Sequence, residues 1–155
     1  PSRMGLDCAA THILNGMADQ EALNALLAGR DSWNTYREQH PADAQTRVDL
    51  TAANLIGADL RHLDLKYADL NGAVMVGARL LSADLNGADL TDAVLVGASM
   101  DGTDLSNATL VGANLAAADL GSSAMLGADF SGANLAAVSW NDVAMWPEGF
   151  TPPSA

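Results

Sequence analysis

Aspartates recur at intervals of twenty residues, and they are the side chains of this sequence best suited to chemistry. They form two series: Asp49, Asp69, Asp89 and Asp129 in the first, and Asp64, Asp84 and Asp104 in the second. Rows of carboxylates can bind calcium or present a negative surface to a partner. The sequence lacks the glycine- and aspartate-rich nonapeptides that bind calcium in other repeat proteins. We therefore expect no metal site, and interpret the two series as turn residues or as surface charge.

Residues that serve in catalysis are present but are not grouped. The three histidines, His12, His40 and His62, lie far apart, and Cys8 is the only cysteine. This spacing fits no zinc-ligand pattern, and no motif frames a nucleophile or a phosphate-binding loop. We therefore expect no enzyme and no cofactor. A single cysteine allows no internal disulfide, which fits a reducing compartment, and we expect the protein in the cytoplasm.

Composition restricts both the core and the partners. The chain has 155 residues, of which 49% are hydrophobic but only 5% aromatic, so a core built from Ala and Leu must be narrow. The net charge of −12 argues against direct binding of nucleic acid or of an anionic membrane, and favours a basic protein or a cation as partner. No apolar run approaches the ~20 residues of a membrane-spanning helix, and no signal peptide is evident. The chain begins at Pro1, which leaves open an upstream segment.

The elements that must position these side chains repeat every five residues. Every position divisible by five from 50 to 145 is apolar, usually Leu, while Ala dominates two positions earlier and Gly is frequent two positions later. In an extended segment, residues two apart point to the same side, so Ala and Leu face inward together. Asp, Asn and Gly are suited to the corner that follows. Five residues thus predict one side and one corner of a stacked solenoid with Leu ladders inside.

The stretch ADLNGAVMVGARLLSADLNGADLTDAVLVGA, residues 68–98, resembles the pentapeptide-repeat family, whose motif is A(D/N)LxG. The resemblance covers about residues 48–145. It implies an all-β solenoid, a right-handed quadrilateral β-helix with four pentapeptides per coil and about five coils. It implies little about function, because most members of the family have none assigned.

Twenty residues per coil define four faces, which we number by their first inward residue. Face one begins at Leu50, face two at Leu55, face three at Leu60 and face four at Leu65. Stacked at the ~4.8 Å spacing of strands, the coils make a rod of roughly 24 Å.

The segments outside the repeat divide the chain into three parts. We predict a helical N-terminal cap over 1–47, the repeat β-helix over 48–145, and a C-terminal lid with a loose tail over 146–155. Asp19 and Asp31 are the expected N-caps of two helices. We expect Leu23, Leu26 and Leu27 to share one face of the first helix. In the second helix we expect Trp33, Tyr36 and Arg37 to lie inside. Helices that bind a partner separately are the alternative to a cap.

Face two departs from the motif by carrying apolar residues at its outward positions. These residues are Ile56, Val74, Val76, Val94 and Val96. A contiguous apolar stripe on an acidic rod indicates a contact site for a protein partner or a second copy. Two alternatives stay open: the first 18 residues or the tail cover the stripe, or the residues are only good strand formers.

The preferred interpretation is a non-enzymatic structural or interaction module. The alternative comes from the resemblance, because some members of the family protect DNA gyrase by imitating the shape and charge of DNA. The two aspartate series would then form the binding surface. A rod of ~24 Å matches only about seven base pairs at ~3.4 Å each, which is short for such a role.

Overall fold

Two helices precede the repeat region in the computed structural model, which describes residues 18–154. Helix α1 comprises Gln20–Leu27, and helix α2 comprises Arg30–Gln39. Asp19 caps α1 as predicted, since its carboxylate accepts the backbone N–H groups of Glu21 and Ala22 at 2.9 and 3.4 Å. No helix within residues 18–154 has the length and apolar character that crossing a membrane requires.

The N-cap predicted for α2 is wrong. This helix begins two residues earlier than expected, with Gly29 at the N-cap and Asp31 inside the first turn. Only two residues separate the helices, and Gly29 reverses the chain there with a φ of 102°, a conformation that favours glycine.

One face of each helix packs toward the repeat region. Ala22 and Leu26, four residues apart, are buried, and Trp33, Tyr36 and Arg37 are buried as predicted. Leu27, predicted to share one face with Leu23 and Leu26, is 56% exposed whereas Leu26 is buried. Leu27 lies about 100° further around the helix than Leu26 and therefore points away from the buried face.

The repeat region is a β-helix in which single bridged residues replace long strands. Parallel bridges join residues twenty positions apart in four columns, beginning with Asp49–Asp69, Asn54–Val74, Asp59–Arg79 and Asp64–Asp84. Each bridge belongs to a continuous hydrogen-bond ladder between coils. Leu50 N–H, for example, donates to the Asp69 carbonyl, and Asp69 N–H donates to the Val48 carbonyl, both at 2.8 Å. This agrees with the predicted solenoid.

Each corner is a tight turn closed by a hydrogen bond between residues three apart. Ala53 N–H donates to the Leu50 carbonyl at 3.1 Å across Thr51 and Ala52. In most corners the third residue of the turn has positive φ, as type II turns require, which explains why Gly is frequent at this position. His62 occupies such a position with a φ of 60°.

The interior is a set of Leu ladders bordered by Ala. The inward residues from Leu50 to Met125 are fully buried, as are most of the Ala residues two positions earlier. Thr103 and Ser123 occupy Ala positions and are also buried, and their hydroxyls donate to the carbonyls of Leu80 and Met100 at 2.8 and 2.6 Å. These bonds allow two polar side chains to lie in a dry core.

The five-residue register breaks once, after Trp140. Ala124 is bridged to Met145, twenty-one positions away, whereas the other bridges span twenty. The prediction that Met145 points inward is therefore wrong, and this side chain is 47% exposed. Asn141 makes its own turn, with its carbonyl accepting Ala144 N–H at 3.0 Å, and this turn takes up the additional residue.

Aromatic side chains cover the C-terminal end of the core. Trp146 stacks on Phe150 with ring centroids 5.2 Å apart, and Phe130 contacts both rings at 5.8 and 5.5 Å. Trp140 meets Trp146 edge-on at 5.9 Å. Leu135 and Trp140, predicted to be buried, are only partly buried, because they belong to the final side chains of the ladder.

Candidate interaction surfaces

Face two is an uncharged side of the rod. Its bridged column consists of Asn54, Val74, Val94, Asn114 and Asn134. A second outward column contains the residue that comes directly after each inward residue: Ile56, Val76, Val96, Ala116 and Ala136. No charged side chain interrupts either column, although the chain as a whole carries a net charge of −12.

The five apolar residues predicted to form a stripe all lie outside the core. Met75 and Leu95 are fully buried between them, while Ile56 is 60% and Val76 37% exposed. Val74 and Val94 are bridged to each other and half-buried, and Val96 is also half-buried. The outward side chains therefore stack from coil to coil, and their use as a contact surface stays a prediction.

The polar residues of face two serve its turns. Asn54, Asn114 and Asn134 each accept the backbone N–H two residues later, at 3.3, 3.2 and 3.1 Å. Asn134 also donates to the Asn114 side chain at 3.1 Å. The face thus offers methyl groups and amides already engaged in bonding. Of the segments considered as a cover for it, residues 1–17 lie outside the described part of the chain.

The two aspartate series build turns. Each carboxylate accepts the backbone N–H two residues later, at distances between 2.8 Å for Asp104 and 3.1 Å for Asp69. The same bond is made by Asp49, Asp64, Asp84, Asp89 and Asp129. These bonds also act on the titration of Asp129, whose pKa is lowered by hydrogen bonds from the Ser131 side chain and backbone. The series therefore has a structural role that does not depend on a partner.

The two series differ in how far their charge is compensated. On face four, Asp84 pairs with Lys66 at 3.1 Å and Asp64 lies 3.9 Å from Arg37. On face one, no Lys or Arg among residues 18–154 pairs with any aspartate of the series. Negative charge is therefore most available on face one.

An ion cluster on face three was not predicted from the sequence. Arg61 contacts both carboxylate oxygens of Asp59 at 2.7 Å, and Arg79 contacts one at 2.8 Å. Hydrogen bonds from Arg61, together with the charges of both arginines, lower the pKa of Asp59 well below its usual range. The twenty-residue spacing of Asp59 and Arg79 was the available signal, because it places both residues in one column.

A shallow cleft of about 360 Å³ lies between the helices and the first coil. Gly29, Arg30, Asp59, Arg61 and His62 line it, together with Leu63. Asp59 already engages Arg61, so the only carboxylate of this lining is not free to bind a cation. Within residues 18–154, no group of three or more histidine, cysteine or acidic side chains is arranged to hold a metal ion.

Several solved structures of pentapeptide repeat proteins are similar to this chain. Rfr23 from the cyanobacterium Cyanothece 51142 is 32% identical, with 64% of each chain covered and a TM-score of 0.44. A protein of the Arabidopsis thaliana thylakoid lumen is 33% identical over 60% of this chain and 61% of its own, with a TM-score of 0.45. The protein alr5209 from Nostoc PCC 7120 is 31% identical over 76% of this chain and 87% of its own, also with a TM-score of 0.45. The chain thus spans less than two thirds of the first two of these proteins.

None of the curated proteins compared with the chain matches it. The family model described as "Pentapeptide repeats" matches in eight copies, over residues 46–80, 75–115 and 113–139. These matches cover more than half of the sequence and coincide with the bridged coils. The chain belongs to the pentapeptide repeat family.

Proposed function

We propose that this protein is a non-enzymatic interaction module, a rigid β-helical rod that contacts a protein partner through face two. The observation that carries the proposal is the apolar stack of Ile56, Val74, Val76, Val94 and Val96 on an uncharged side of an acidic chain. A contact surface of this kind excludes water without requiring compensation of buried charge.

The proposed rod is rigid and has about five coils. Helices α1 and α2 cap its N-terminal end. The first coil has carbonyl groups with no coil above them, and the helices supply donors to four of these groups. Asp19 N–H donates to Asp49 at 2.7 Å, and the Trp33 indole donates to Asp64 at 2.8 Å. Arg30 and Arg37 reach the carbonyls of Arg61 and Lys66 at 3.5 Å. Such bonds protect an edge that would otherwise pair with another chain.

Desolvation of Tyr36 supports the same role for the helices. Its hydroxyl donates to Asp19 at 3.3 Å, and burial, followed by the charge of Asp19, raises the pKa of Tyr36. The hydroxyl therefore stays protonated and continues to connect α2 with the cap residue of α1.

Face two supplies a moderate amount of binding energy. Burying one exposed valine contributes about 1–2 kcal/mol, so four or five such residues support a weak association after the cost of immobilising two molecules. This magnitude suits a rod that binds and releases its partner.

The double substitution Val76→Asp and Val96→Asp is expected to abolish binding to the native partner. Both side chains point outward, so the core stays intact, but two carboxylates would be buried unpaired at the interface. The measurement is quantitative capture of proteins by the tagged chain from a lysate of its source organism, with circular dichroism to verify folding.

The matched control is Val111→Asp, which makes the same change at a half-buried valine on face one. We expect the control to capture the same proteins as the wild type. Equal capture by the double variant and the wild type would show that the stripe consists only of strand-forming residues.

A second candidate function, imitation of DNA toward a topoisomerase, is favoured by one observation. The carboxylates of face one have no Lys or Arg partner among residues 18–154, so their charge is available. The turn bonds made by the same carboxylates argue for a structural use instead.

Replacing Asp69, Asp89 and Asp129 together by Asn separates charge from structure. Asparagine keeps the oxygen that accepts the turn N–H but removes the charge. The assay is DNA supercoiling by gyrase in the presence of a gyrase poison, with wild type and triple variant at equal concentration. We expect no protection from either protein. Protection by the wild type that the folded triple variant loses would assign the function to face one instead.

A further inference from the structure

We propose that the partner of face two is a second copy of this chain, packed face two against face two with the two rods antiparallel. The inference rests on the proposed function of face two and specifies its occupant. It is carried by the distribution of charge over the faces, the distribution of charge along the rod, and the sizes of the outward side chains.

Charge selects the face through which two copies can meet. Each copy carries a net charge of −12, and faces one and four present aspartate columns to solvent. Face three carries the Asp59 cluster with Arg61 and Arg79. From Asn54 to Ala137, by contrast, the outward positions of face two hold only Asn, Val, Ile, Ala and Gly. Contact through face two therefore buries no charge. It also leaves the face-four aspartate columns of the two copies on opposite sides of the dimer.

Charge along the rod selects the antiparallel direction. All Lys and Arg residues of the chain occur up to Arg79, and every charged residue after Arg79 is acidic. Parallel rods would place the two cation-free ends side by side. Antiparallel rods place the end that holds Arg61 and Arg79 on face three beside the acidic end of the other copy. At physiological salt, charges interact over about 8 Å, so neighbouring rims of the two rods lie within reach.

In one of the two outward columns of face two, the side chains decrease in size along the rod. Ile56 and Val76 lie at the N-terminal end of one column, Val96 at its centre, and Ala116 and Ala136 at the C-terminal end. In an antiparallel pair centred on the third coil, Ile56 meets Ala136, Val76 meets Ala116, and Val96 meets its own copy. Large residues thus oppose small ones, which packs the surface without steric conflict.

The size of the face makes the association weak. Five bridged residues at ~4.8 Å give a length of roughly 24 Å, and a side of about four residues gives a width of ~13 Å, or ~300 Å² per copy. The ~600 Å² buried by both copies is about half the lower limit of a standard interface, about 1,200 Å². We therefore expect a dimer that forms at high micromolar concentration.

Sedimentation equilibrium of the full chain tests the dimer. The protein concentration runs from about 10 µM to about 1 mM, a range chosen for the weak affinity expected. We expect the weight-average mass to rise toward twice the monomer mass for the wild type and for Val111→Asp. We expect Val76→Asp with Val96→Asp to weaken association at least tenfold. A monomer at every concentration, or a dimer that the double variant retains, would overturn the inference.

Cysteine pairs test the direction of the rods in a chain with Cys8→Ser. We expect Val96→Cys to form a disulfide with itself, and Val76→Cys to form one only when mixed with Ala116→Cys. A disulfide between Val74→Cys and Val76→Cys instead would indicate parallel rods and overturn the antiparallel arrangement. If the chain is monomeric but still captures a partner through the stripe, the second copy is excluded while the proposed function stands. If neither self-association nor capture of a partner depends on the stripe, both this inference and the proposed function of face two are wrong.

Discussion

Leu85→Asp is expected to lower the free energy of unfolding by several kcal/mol, a large part of the total for a domain of this size. Leu85 is fully buried and occupies the middle of the ladder that runs through Leu65, Leu85 and Leu105. A carboxylate there has no cation within the core and cannot reach water. The measurement is thermal and urea unfolding followed by circular dichroism, with a decrease of the melting temperature of roughly 10 °C or more.

The matched control is Leu81→Asp, four residues away on face three, where the side chain is only partly buried and follows the inward Leu80. This variant places the same charge on the outside of the same coil. We expect its melting temperature to stay within a few degrees of the wild type, as for most surface substitutions. Equal stability of Leu85→Asp and Leu81→Asp would contradict the inward orientation of the five-residue ladder.

Deletion of residues 1–45 is expected to convert the protein into an aggregating or frayed chain. The deletion removes the buried Trp33 and leaves the first coil uncovered, including Leu50 and Leu55. It also removes the donors to the carbonyls of Asp49 and Asp64. An open edge with exposed leucines favours pairing with other chains. Sedimentation velocity and circular dichroism would detect the loss of the monomer and of the native spectrum.

A single substitution tests the same interface in the complete chain. Trp33→Ala removes the largest buried side chain of the helices, and we expect it to cost about 3–5 kcal/mol. Thr35→Ala, at an exposed position of the same helix, is the control and should be nearly neutral.

If the protein that lacks residues 1–45 were monomeric and fully folded, α1 and α2 would instead be a separable module.

Local patterns of the sequence predicted most of the inward and outward positions. Leu at every fifth residue and Ala two positions earlier are buried because a bridged residue forces its two neighbours to the same side. The role of the aspartates in turns was also readable, since a short acceptor next to a corner bonds the backbone two residues later. These features depend on five consecutive residues, so the sequence specifies them directly.

Features that depend on bulky neighbours or on short connections were predicted less well. The sequence continues the apolar period to Met145, but the turn made by Asn141 moves Met145 outward and Trp146 toward the aromatic cluster. Similarly, Asp31 has the residue type of an N-cap, yet Gly29 takes that position because only two residues join the helices. In both regions the local sequence is compatible with several backbone conformations, and tertiary packing selects one of them.

The sequence by itself therefore determined that the chain coils, which side of each pentapeptide is dry, and which residues turn the corners. Only the tertiary structure decided which residues become neighbours. The corner angle of a pentapeptide is not contained in its period, and closure after four sides brings residues twenty apart into one column. That closure joins Asp59 to Arg79, leaves face one without cations among residues 18–154, and stacks Val74 on Val94. Surfaces of a solenoid arise from such stacking between coils, because each coil is stable only against the next.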